Sequence, residues 1–128
     1  MERIVVSCII ENDKKELLLQ KKTLDYTKHP GAWGFFGGEA ESEDLNKEMI
    51  RELKEEIGIR LNIKQIFVLE IERGKDKTII NVFLAKLNDI SKIKIGEGAG
   101  VVFFGKEELN KLEFMPDDKS ILNKYLKI

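Results

Sequence analysis

The chain has 128 residues, 42% hydrophobic and 35% charged, with a formal net charge of −1. That length suits one domain around one buried core, here taken as residues 1–128, and the composition is that of an ordered globular protein. The near-neutral balance excludes a whole-molecule pull on nucleic acid or on a membrane surface. No apolar run reaches the roughly 20 residues a membrane span requires. "MERIVVSCII" is followed by "ENDKKE" rather than by a small-residue cleavage site, so a cytoplasmic location is expected.

In chain order, "RIVVSCII" and "ELLLQKK" are apolar, β-branched runs separated by the polar "ENDKK" and are predicted to form a hairpin. Cys8, the only cysteine, sits inside the first run, which predicts a buried structural thiol and rules out an intrachain disulfide. "TLDYTKHPGAW" lacks periodicity and carries Pro30-Gly31, so it reads as a loop, with the single histidine, His29, at its surface. Trp33, Phe35 and Phe36 lie on a short extended segment that ends at Gly37-Gly38. From Leu45 the period changes: Leu45, Met49, Leu53 and Ile57, with Ile50 alongside, form the apolar stripe of a helix. Ser42 or Asp44 is placed to cap its start and Gly58 to stop it. "NIKQIFVLEIE" and "KTIINVFLAKL" flank "RGKD" as a strand pair. "GVVFFG" is a further strand, "KEELNKL" one or two helical turns, and the stretch from Pro116 a C-terminal helix. Strands and helices mix without strict alternation, which predicts an α/β (α+β) fold with a mixed sheet.

The helix from Leu45 to Ile57 carries an unusual load of acid. At roughly 100° per residue, Glu48, Glu52, Glu55 and Glu56 fall within about a 100° arc bordering the apolar stripe. Like charges four apart cost a few tenths of a kcal/mol per pair, about 0.2–0.5, unless something neutralises them. A solvated surface helix is one reading. A site for a hard cation is the other, because Mg²⁺ takes carboxylate and carbonyl oxygens and completes its shell with water and phosphate. The Gly37-Gly38 turn ahead of the helix gives backbone a close approach to such a site.

Taken together, "GGEAESEDLNKEMIRELKEEIGI" resembles the signature of the Nudix (MutT-like) hydrolases, GX5EX7REUXEEXGU with U aliphatic. Gly37 opens it, Glu43 follows five residues later, and Arg51-Glu52 follow after seven more; Leu53, Glu55-Glu56 and Gly58-Ile59 complete it over residues 37–59. "LLLQKK" with "PGAWGFFGG", and "IGEGAGVVFFGKEEL", are similar to segments flanking that box in the family. The loop departs in one respect: the count works only from the first glycine, as though one residue were absent. Which of Gly37 and Gly38 offers its carbonyl to a metal is thereby left open.

The resemblance implies the Nudix fold, a mixed β-sheet between helices with the box as loop, helix and loop. It implies hydrolysis of a nucleoside diphosphate linked to another group X, with Mg²⁺ as cofactor and Mn²⁺ able to substitute. By position, Glu52 and Glu56 are the main metal ligands, Glu55 a ligand directly or through water, and the Gly37 or Gly38 carbonyl a further one. Arg51 orients the acids, Glu43 braces the loop or that arginine, and Gly58 ends the helix. Glu97 in "GEGAG" is the candidate distal glutamate, ligand or general base, on a loop whose glycines suit closure over substrate. Candidate substrate contacts are Lys21 and Lys22 for phosphate or sugar, and Trp33 and Phe35 for stacking on a base.

The expected substrate is a (d)NTP or an oxidised one such as 8-oxo-dGTP, converted to a nucleoside monophosphate. The alternatives within the class are ADP-ribose, nucleotide sugars, dinucleoside polyphosphates and RNA 5′-pyrophosphate removal, the last disfavoured by the neutral charge and the lack of a basic patch. Outside it stands a nucleotide-binding module that does not cleave, against which the complete set of box acids argues. The partner is thus a small nucleotide, neither membrane nor nucleic acid, and the family implies a monomer or a homodimer.

Overall fold

The computed structural model describes residues 1–24, 29–96 and 98–127. The predicted hairpin forms from β1 (Glu2–Glu11) and β2 (Leu17–Lys21), which pair antiparallel through Ile10 with Leu18. Its turn is closed by Asn12, whose side-chain oxygen accepts from the Lys14 and Glu16 N–H groups. Two short strands follow, β3 (Trp33–Gly34) and β4 (Phe36–Glu39), then helix α1 (Leu45–Ile57). β5 (Ile63–Arg73) and β6 (Asp76–Lys86) are the predicted pair, turning at Gly74 with φ +63. β7 (Gly100–Phe104), α2 (Lys106–Leu109) and α3 (Pro116–Leu126) complete the described elements.

What no local pattern announced is the centre of the sheet. β1 runs parallel to β6 along their full length, Glu2 beside Lys77 through Glu11 beside Lys86. On its other edge β1 holds β4 at Val5–Cys8 and, further along, β2 at Ile10–Glu11. β2 in turn carries β3 and β7, and β5 lies on the far side of β6. One parallel pair among antiparallel ones makes the sheet mixed.

Both faces of this sheet are buried. Val6, Cys8 and Ile10 of β1, with Phe36, Phe83 and Ala85, pack under Met49, Leu53 and Ile57 of α1. Ile9 of β1, with Leu17, Leu19, Phe35, Ile80 and Val82, packs against Leu109 and against Ile121 and Leu122 of α3. Strand alternation thus sends Phe35 and Phe36 to opposite faces. The result is a sheet between α1 on one side and α2 with α3 on the other. No helix among the described residues is long and apolar enough to cross a membrane.

Candidate functional site

α1 is fixed at both ends by the residues its sequence suggested. The Asp44 carboxylate accepts from the Lys47 N–H at 3.1 Å, and Gly58, with φ +72, donates its N–H to the Leu53 and Lys54 carbonyls. The apolar stripe seats the helix on β1 and β4, which buries Glu48 and Glu56 on its border and leaves Glu55 exposed.

Arg51 is the hub of these acids. Its guanidinium donates to Glu48 at 3.2 Å, Glu52 at 3.1 Å and Glu55 at 3.0 Å. Four carboxylates hold its pKa above the ordinary arginine value, Glu48 first and Glu55 next, with Glu52 and Glu41 behind them. Glu55 is half exposed, whereas Glu48 and Glu56 are buried. Glu56 turns inward, where the Gln20 amide donates to its Oε1 at 2.9 Å. The carboxylates therefore do not converge on a common point as they stand, and among the described residues no three form a ready metal cage. The helix brings Glu52, Glu55 and Glu56 to one edge; Arg51 and Gln20 decide where each points.

Glu48, not Glu43, braces the loop. Its carboxylate accepts from the Glu41 N–H at 2.5 Å and the Ser42 hydroxyl at 3.3 Å while holding Arg51. The Glu41 hydrogen bond, ahead of Arg51, keeps the Glu48 pKa below the usual carboxylate value. Glu43 is exposed and makes none of these bonds. From the first turn of α1 the Glu48 side chain thus reaches back to the loop backbone.

The two box glycines have different surroundings. Gly37 pairs with Ser7 of β1, and a Cβ on it would collide with the Val6 carbonyl oxygen. A Cβ on Gly38 would lie 2.6 Å from Oε1 of Glu52. Gly38 is therefore the backbone that abuts a site carboxylate, and Gly37 is the one that lets β4 join the sheet. Glu97 lies outside the described residues. Its neighbours are tied down rather than loose: the Gly96 N–H donates to the Glu56 carbonyl at 2.9 Å and the Ala99 N–H to the Lys21 carbonyl at 2.8 Å.

From Gly38 a cleft of about 630 Å³ runs along β1 to the start of α3, past Lys22, Phe35, Arg73, Asp117 and Asp118. Of the four suggested substrate contacts, Lys22 and Phe35 line it. Lys21 and Trp33 do not: cross-strand pairing stacks them on each other, with Nζ 5.6 Å from the ring, and Trp33 packs edge-on against Phe104. His29, expected only at the surface, also lines the cleft. Asp118 sits against Gly34 and accepts from the Phe35 N–H. Burial pushes its pKa up to about 7, although Lys22 and that N–H pull it down. Sequence reasoning missed it, since two acids after Pro116 look like the ordinary first turn of a helix. Cys8 is fully buried, and burial followed by the nearby Glu56 charge raises its pKa to about 12, so it is an inert core thiol.

A model of the NUDIX domain matches residues 1–125. An uncharacterized Nudix hydrolase of Listeria innocua is 31% identical over 122 residues, covering 88% of this chain and 72% of its own length. Among solved structures, a MutT protein from Methanosarcina mazei superposes with a TM-score of 0.74 at 25% identity, over 91% of this chain and 86% of that one. The NUDIX domain of Shewanella oneidensis NrtR, solved with ADP ribose, reaches a TM-score of 0.81 at 14% identity, over 99% of this chain and 88% of that one, a likeness of fold. With its whole box in place and the family model spanning nearly its full length, the chain belongs to the Nudix hydrolases.

Proposed function

We propose that this hydrolase acts on nucleoside triphosphates, oxidised ones such as 8-oxo-dGTP included, cleaving between the α and β phosphorus atoms. Water adds at phosphorus, the bridging P–O bond breaks, and nucleoside monophosphate and pyrophosphate leave. The observation that carries the reading is the continuity of the cleft. Its lining runs from Gly37 and Gly38, the latter beside the Glu52 carboxylate, to Asp117 and Asp118, so a base-sized recess adjoins the glycine that Glu52 touches.

The donor set fits a hard divalent cation. Every candidate ligand is an oxygen, and the close seat of Glu52 against Gly38 exists only because that residue has no Cβ. Glu52 and Glu56 would hold Mg²⁺, or Mn²⁺ in its place, with Glu55 joining and the Gly38 carbonyl nearby; Glu97 stays a candidate fifth group. Such an ion neutralises diphosphate charge and acidifies a bound water. The protein's own part is positioning. Arg51 holds Glu52 and Glu55 in direction, and Lys22 adds positive charge along the cleft, where Arg73 is paired with Asp117. Phe35, Ile80 and Met115 offer apolar walls to a planar base, and Asp117 and Asp118 face its hydrogen-bonding edge.

The test is a hydrolysis panel with Mg²⁺ or Mn²⁺: dNTPs, 8-oxo-dGTP, ADP-ribose, a nucleotide sugar, diadenosine polyphosphates and 5′-triphosphate RNA. Triphosphates, and the oxidised one above its parent, are expected to turn over fastest. Glu56→Gln should lower kcat at least a hundredfold, within the range for losing a principal electrostatic group. Preference for ADP-ribose or the nucleotide sugar would replace the substrate reading, and inertness towards the whole panel would reject it.

A further inference from the structure

Two different devices hold the acids of α1. Arg51 pairs with Glu48, Glu52 and Glu55 and cancels charge as it does so. The innermost acid, Glu56, has a neutral partner in Gln20. Gln20 is itself almost fully buried, and its single amide nitrogen donates both to Glu56 Oε1 at 2.9 Å and to the Phe35 carbonyl at 3.2 Å. Two acceptors facing one amide nitrogen fix which way the amide points.

The backbone beneath it is fixed as well. Gln20 pairs with Gly34 of β3 on one side and Val101 of β7 on the other, so the side chain starts from a position locked across three strands. Its neighbour Glu56 is locked by α1, whose carbonyl at that residue also accepts from Gly96. A buried carboxylate takes its direction from the donors around it, and the Gln20 amide supplies one to Oε1 of Glu56.

We infer that Gln20 is a positioning residue for metal binding, presetting the direction in which Glu56 presents its carboxylate. This rests on reading Glu56 as a metal ligand. Residues that hydrogen-bond a ligand set its orientation, and their loss costs affinity on the order of 10- to 100-fold.

The experiment is Mn²⁺ binding to the substrate-free protein, followed by the electron-paramagnetic signal of free Mn²⁺, alongside thermal melting. Gln20→Met keeps length and loses the donor; Gln20→Asn keeps the amide but falls one methylene short of both acceptors. Each should weaken Mn²⁺ binding roughly 10- to 100-fold while the protein still melts cooperatively. In a Glu56→Gln background, adding Gln20→Met should change the remaining affinity by less than about twofold, because its effect passes through Glu56. Folded Gln20 variants with the wild-type dissociation constant, beside a Glu56→Gln protein that has lost affinity, would overturn the role of Gln20 alone. Wild-type affinity in Glu56→Gln would instead remove the ligand reading and the inference with it. In the wild-type protein, the Gln20 side-chain amide resonance should move as Mg²⁺ is added and saturate with it. An amide that ignores Mg²⁺ overturns the inference whatever the variants do.

Discussion

Glu48 shows how a side chain can take over a task that a motif assigns elsewhere. The box spacing picks out Glu43, but a helix start is a matter of reach. From the first turn of α1, Glu48 meets the Glu41 N–H, the Ser42 hydroxyl and Arg51 together, and it is buried doing so. Removing it takes one acceptor from a backbone donor and one from a guanidinium, a net loss on the order of 1 kcal/mol for each hydrogen bond. Glu48→Ala should lower unfolding stability by about that much in urea titration. Glu43→Ala, at an exposed position, should stay within about 0.5 kcal/mol. Equal losses for the two would return the bracing role to Glu43. Asp118 offers a second test at this scale, facing Lys22, Asp117 and the Phe35 N–H. Its folded pKa, about 7, lies above its ordinary value of 3.8, so between those values the native state binds more protons than the unfolded one. Stability must then fall as pH rises across that interval and level off above it. Melting temperatures of wild type and Asp118→Asn, compared from pH 4 to 9, should show the variant gaining on the wild type up to about pH 7 and no further. A pH-independent difference would mean that Asp118 titrates normally.

The elements were legible in proportion to how local their causes are. α1 could be bounded to the residue because its apolar period, its Asp44 cap and its Gly58 stop all lie within the segment itself. The β1–β2 hairpin and the β5–β6 pair were readable for the same reason. The parallel seam of β1 with β6 was not, because it joins segments some seventy positions apart and leaves no mark on either beyond an apolar run. The same holds inside the site: box acids follow fixed spacings, whereas Gln20, Asp118 and Arg73 arrive through strand pairing and the docking of α3. The Gly37-Gly38 pair sits between these cases, two identical letters with different physical duties. Gly37→Ala drives a methyl into the Val6 carbonyl of β1 and should prise β4 off the sheet, lowering stability by roughly 1–3 kcal/mol as overpacking does. Gly38→Ala meets only the end of a side chain, so the fold should survive while Glu52 is displaced. Activity at saturating Mg²⁺, set against melting temperature, separates the two. If Gly38→Ala melts early and keeps its metal dependence, the two duties have been assigned the wrong way round.

At the scale of the whole molecule, the sheet separates the two halves of the site. The acids belong to α1 on one face, and Asp117, Asp118 and the walls of the base recess belong to the α3 face. β4 is the bridge: Phe36 faces α1, Phe35 faces α3, and Gly38 after them lines the cleft while abutting Glu52 of α1. In the proposed reading a nucleotide would span this rim and touch α1, β1, β4 and α3 at once, so that elements from both layers would share its binding energy. Ligand that binds only the folded state stabilises by RT ln(1 + [L]/Kd), about 2.7 kcal/mol at a hundred times Kd. For a domain this size that is a rise in melting temperature on the order of 10 °C. Mg²⁺ with a non-hydrolysable nucleoside triphosphate should produce it, and EDTA should abolish both the rise and the hydrolysis while leaving the melt cooperative. The partition of the effect tests the spanning geometry. Asp118→Asn should lose part of the shift from the nucleotide and none of that from Mg²⁺ alone, whereas Glu56→Gln should lose both. Were Asp118→Asn to respond like the wild type to the analogue, the base would lie elsewhere, and the cleft would be the seat of the phosphates only.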